Sequence, residues 1–215
     1  MTTLGDLIIT PAMIASLDAK SLSRRVELFE KKHGRPPNDE STLREWCMVS
    51  RRTSDRMKLI STFLVSACPE QKQTINHAFV QLSMNVVGHA LSIVQEKTPR
   101  DYTAKYAIDA AKQWLINPSK HNRDRAYTSA LSADHAARLA ESNSLSDEVV
   151  HSLNACSWAA RAAADQYDDC LFYAMACVRT VEYDLRGDLY TSDTIVTRLL
   201  NQMCHVNHST HMEHS

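Results

Sequence analysis

The stretch "SADHAARLAESNSLSDEVVHSLNACSWAARAAADQ", residues 132–166, holds two alanine-rich runs on either side of a polar connection. Alanines at 126, 130, 133, 137 and 140 step by 4, 3, 4 and 3. The next segment keeps the alternation through Val149, Leu153, Cys156, Ala160, Ala163 and Tyr167, and a third through Leu171, Ala174, Val178, Val181 and Leu185. Apolar residues three and four apart share one face of an α-helix. Small side chains on that face let helix axes approach toward the low end of the range of about 8–10 Å. Alanine also has the best helix propensity and no side-chain entropy to lose. Each alanine buries little area, so long helices with several neighbours are needed. The connections "ESNSLSDE" and "QYDD" are short enough to force hairpins. The pattern predicts an all-α fold: a single-domain antiparallel bundle or stack of about seven to nine helices, packed tightly through alanine. The alanines are scaffold, not a site. The likeness of 126–140 to 149–164 reads as shared packing chemistry rather than a repeat.

Working outward, residues 1–20 read as a weakly ordered start or a short helix after Pro11. "SLSRRVELFEKKHG" reads as a helix capped by Ser21 or Ser23 and stopped by Gly34 and the following "RPP". Cap candidates Asn38 to Thr42 open the next helical region, which runs toward Pro69 with a break near Thr53–Ser54. From 70 to 96 the stripe is Ile75, Phe79, Leu82, Val86, His89 and Ile93. Thr98 and Pro99 then read as N-cap and first helical residue, before the stripe Ala104, Ile108, Ala111 and Leu115. Asn117–Pro118 closes that helix. Residues 205–215 read as a frayed, histidine-containing tail.

The chain has 215 residues, 44% of them hydrophobic and 23% charged, as in ordinary globular proteins. Four glycines and six prolines are too few for a β-sandwich or barrel, which needs such a turn about every 8–12 residues. The net charge is −1, but residues 1–100 hold 14 Lys/Arg against 10 Asp/Glu, and residues 101–215 hold 10 against 15. An acidic second half favours a basic protein partner and repels phosphates. None of the six cysteines forms C-x-x-C. The first residues show no secretory pattern, and no run approaches the roughly 20 apolar residues of a membrane span. A reducing cytoplasm is the expected location, with no membrane partner.

The pattern "AYTSALSADHAARLAE … NACSWAARAAADQ … LFYAMACVRTVEY" over 126–183 resembles the Imm-5-like immunity family. The shared features are Ala130, Ala133, His135, Ala136, Ala137, Arg138 and Ala140, and the run beginning at Trp158. The resemblance covers about a quarter of the chain. It implies an all-helical bacterial protein that inhibits a toxin by binding it.

Candidate chemistry is sparse. There is no G-x-S-x-G, P-loop or G-x-G-x-x-G. Glu30–His33 and Glu148–His151 have di-metal bundle spacing, but no glutamates on apolar faces complete the set. His205, His208, His211 and His214 recur every three residues beside Cys204, a candidate metal face on an unanchored tail. His89 falls on an apolar stripe and reads as a core histidine. Arg44, Arg51, Arg52, Arg56 and Lys58 form a basic cluster with Trp46 nearby, a candidate nucleic-acid surface diluted by Glu45 and Asp55. Asp165, Asp168, Asp169, Asp184 and Asp188 form an acidic series able to steer a basic partner, with His135 and Arg138 as further contact candidates. No cofactor is expected. These features favour a non-catalytic inhibitor of a toxin or defence protein, immunity-like or phage anti-defence-like, in which self-association is also compatible. The alternatives are a helical enzyme with a histidine and acidic or metal site, and a nucleic-acid binder acting through 44–58.

Overall fold

Helices supply nearly all of the regular structure. In this computed structural model, residues 2–15, 17, 19–38, 40–49, 56, 59–60, 62–63, 66, 69–164, 168–185, 197, 200–201 and 203–204 are described. Nine α-helices lie among them: α1 (Pro11–Ala15), α2 (Ala19–His33), α3 (Leu43–Met48), α4 (Pro69–Val86), α5 (Gly88–Lys97), α6 (Thr103–Ile116), α7 (Lys120–Ser142), α8 (Asp147–Ala164) and α9 (Asp168–Arg179). α9 runs on as a π-helical segment, Thr180–Leu185. A two-residue antiparallel ladder pairs β1 (Thr2–Thr3) with β2 (Met203–Cys204). The architecture is the all-α bundle the sequence predicts.

The centre of the bundle is α8, which packs against α4, α5, α6, α7 and α9. A helix surrounded in this way has almost no outer face. Ala155, Ala159, Ala160, Ala162, Ala163 and Ala164 are accordingly buried, well beyond one stripe. Where α6, α7 and α8 converge, Ala107, Ala130, Ala133 and Ala160 form a cluster of their own. Close approach also lets Ser157 Oγ donate to Ala130 O at 3.0 Å across the α7–α8 contact. Leu145 N donates to Ala140 O at 2.9 Å, and Ser144, at φ 55°, takes the left-handed position usually held by glycine. That motif turns the chain and makes α7 and α8 antiparallel neighbours. Helices distant in sequence behave differently. Cys170 Sγ donates to Asn76 O at 3.8 Å and Cys177 Sγ to Ser83 O at 4.0 Å, seven residues on in each helix, so α9 runs parallel to α4.

Local signals hold in part. Gly34 closes α2 at φ 68°, where a side chain would be strained. Thr42 caps α3 in a capping box with Glu45. α2 begins at Ala19, so Ser21 and Ser23 lie inside it rather than capping it. Thr98 ends α5 instead of opening α6: its N and Oγ1 both donate to Val94 O at 2.8 Å. The α6 start is held by Asp101, whose Oδ1 accepts from Thr103 N at 2.8 Å. In the stripe over 70–96, Ile75, Phe79, Leu82, Val86 and Ile93 are buried, although the chain bends by 45° between α4 and α5. The bend brings Val87, Ala90 and Val94 inward and leaves His89 half-buried, not in the core. Of the two readings of residues 1–20, a weakly ordered start or a short helix after Pro11, the helix is present as α1, and Ile9 and Met13 enter the core with no exposed surface. The break expected near Thr53–Ser54 and the tail 205–215 lie outside the described residues.

Candidate partner-binding face

The partly exposed stripe of α8 carries Val150, His151, Asn154, Trp158 and Arg161, between α7 and α9. Arg161 interrupts a run of alanines, and it meets one residue of α7 and one of α9. Its Nη2 lies 3.9 Å from Asp134 Oδ2 on α7, and its guanidinium carbon lies 5.5 Å from the centre of the Tyr173 ring on α9. Asp134 Oδ2 also accepts from Arg138 Nη2 at 2.9 Å. Tyr173 meets Phe172 edge-on, ring centres 5.4 Å apart. The side chains Arg138, Asp134, Arg161, Tyr173 and Phe172 thus form a continuous chain across three helices.

Burial is graded along this chain. Arg161 keeps 19% of its side chain exposed, Asp134 25% and Arg138 75%. Phe172 is 64% exposed, and Tyr127 and Leu131 on α7 are exposed as well. The Ser157–Ala130 hydrogen bond sets Trp158 and Arg161 level with the Tyr127–Leu131 turn. Aromatic residues and arginine at a helix face, next to exposed apolar side chains, are the composition of protein-interface anchors.

His135 and Arg138 are both exposed on α7. Asp169 and Asp184 are exposed too, but at opposite ends of the α9 segment, about 20 Å apart at helical rise. They do not form one patch. Of Asp168 the backbone alone is described, at the first residue of α9, and Asp165 and Asp188 lie outside the described residues. Arg161, Tyr173 and Phe172 were not singled out by spacing. The signal was present in the off-stripe position of Phe172 and in the one charge within "WAARAAA".

Of the basic cluster, Arg44 and Arg56 are described. Arg44 Nη2 donates to Leu200 O at 3.0 Å and to Thr3 Oγ1 at 3.3 Å. Its guanidinium lies so close to Gly5 that a Cβ there would be 2.6 Å from Nη2. This arginine is a staple between Thr3 and Leu200, not a presented cation. Arg56 is half-buried, and its charge is felt at the buried Cys47. Arg51, Arg52 and Lys58 fall outside the described residues, as do His205, His208 and His211. Among the described residues no group of three His, Cys, Asp or Glu could hold a metal ion. Glu148 approaches Lys97 at 4.0 Å, and His33 lies tilted against Phe29 with ring centres 4.4 Å apart.

Burial pushes the Cys47 and Cys156 thiols up to about 12, and Cys177, beside Cys156, goes well above the ordinary thiol value for the same reason. These sulfurs stay protonated at neutral pH and are poor nucleophiles. An open dish at the α5–α6 connection is lined by Pro99, Arg100, Tyr102 and Tyr106 among others. Its one carboxylate, Asp101, is occupied at the α6 start. Among the described residues no single helix is long and apolar enough to cross a membrane. No known family model, curated protein or solved structure matches this chain.

Proposed function

We propose that this chain is a non-catalytic binding protein, an inhibitor that neutralises a toxin or defence protein by covering part of its surface. The observation that carries the reading is the array Arg138–Asp134–Arg161–Tyr173–Phe172 across α7, α8 and α9. It sits on helices held rigid by close alanine contacts, so little side-chain or backbone ordering is needed on binding. The resemblance of 126–183 to helical immunity proteins falls on the same three helices and supports the same role. The engagement of Arg44 within the fold weighs against the nucleic-acid alternative.

The test is site-specific photo-crosslinking in the native host. A photoreactive residue at Phe172 or Leu131 is expected to capture one protein, identified by mass spectrometry, whose activity the purified chain then suppresses. The same probe at the exposed Lys31 on α2 is expected to capture nothing in common. Identical adducts from both faces, or a captured protein whose activity is unaffected, overturn the reading.

A further inference from the structure

We infer that the α7–α8–α9 face takes an acidic side chain of the partner, clasped between Arg138 and Arg161 and flanked by an apolar residue resting on Phe172. This rests on the binding role proposed above and names the chemistry of the partner at that site.

Donors exceed acceptors here. Arg138 and Arg161 bring ten N–H groups between them, by the five-donor fork of each guanidinium. Among the described residues Asp134 is the one carboxylate they share, and both approach the same oxygen, Oδ2. For Arg161 that contact is 3.9 Å, an ion pair too long for a hydrogen bond. Its side chain is nonetheless four-fifths removed from solvent, with the guanidinium held over the Tyr173 ring. A stacked, sheltered arginine with open fork positions is preorganised for a second carboxylate, which it binds in a bidentate manner. Arg138 and Arg161 stand together as two cations around Asp134, and a lysine or arginine from a partner placed between them would meet repulsion. The exposed Asp169, one turn along α9 from Tyr173, bounds the cationic patch on that side. Phe172, Tyr127 and Leu131 offer the apolar surroundings that shield such a pair from water.

The test uses the full chain and two capped peptides, acetyl-Phe-Glu-Leu-Glu-amide and acetyl-Phe-Lys-Leu-Lys-amide, followed by NMR of the arginine side-chain Nε–H signals. The acidic peptide is expected to shift the Arg138 and Arg161 signals in a saturable way, and the basic peptide to leave them in place. Arg138→Gln, at a largely exposed site where folding is safe, and Arg161→Gln are each expected to weaken the acidic peptide about tenfold. Equal shifts from both peptides, no shift from either, or unaltered binding by both variants overturn the inference. If the host protein is still captured at position 172 by an Arg138→Gln, Arg161→Gln chain with undiminished yield, the binding role stands and this acidic clasp alone is lost.

Discussion

Glu45 shows how one side chain secures the corner between α2 and α3. Its Oε2 accepts from Thr42 N at 2.9 Å and its Oε1 from Arg35 Nη2 at 2.7 Å, while its own N–H donates to Thr42 Oγ1 at 3.3 Å. Burial opposes ionisation, but the Thr42 N–H and the Arg35 charge outweigh it and hold the carboxyl below its ordinary 4.5. A carboxyl depressed by folding adds stability above its unfolded pKa and loses it as pH falls through the folded value. Glu45→Gln is therefore expected to cost about 1 kcal/mol at neutral pH, the usual worth of a lost cap. The gap in Tm from wild type should close as pH is lowered through 4.5 and below. A gap that is constant from neutral to acid pH, measured by circular dichroism, contradicts the assignment. The cap itself was legible at Thr42. Arg35 was not, because its contact depends on how the loop after Gly34 folds back.

At the scale of elements, alanine spacing set which faces meet, and the meeting sets how much room remains. Ala160 is fully buried where α6, α7 and α8 converge. Ala160→Leu inserts three carbons into that space, and the expected cost is about 1–3 kcal/mol from overpacking. Ala136→Leu, on the half-buried flank of α7, is expected to cost clearly less. Urea titrations followed by fluorescence measure both, and equal costs would mean that the three helices are not in close contact. The seams of α7, α8 and α9 were legible because period 3.6 is a one-dimensional property. The α4–α5 bend was not, since the apolar stripe runs through it, with Val86 before the bend and Ile93 after it both buried. The misplaced α6 cap has a similar cause: Thr98 and Asp101 are both good cap residues, and which helix each serves depends on where the chain turns.

At the scale of the whole molecule, Arg44 ties Thr3 to Leu200. Its bonds to Thr3 and Leu200 lie beside the β1–β2 ladder, and one contiguous core takes residues from Ile9 to Leu200. Arg44→Met keeps the apolar stem but leaves Leu200 O without this donor, an expected loss of about 1–3 kcal/mol. Hydrogen exchange should speed up in the β1 and β2 amides while the α7 and α8 amides remain slow. A uniform acceleration, or none, argues against a local staple.

By itself the sequence determined the helical class, the alanine seams, the α7–α8 hairpin and the exposure of His135 and Arg138. All of these follow from spacing along one helix or across one short connection. Tertiary structure alone decided that α9 runs parallel to α4, that Asp169 and Asp184 stand apart, that Arg44 faces inward, and that Arg161 meets both Asp134 and Tyr173. Those outcomes join residues between about 12 and 156 positions apart, where local periodicity carries no information and the packing of whole helices chooses the neighbour.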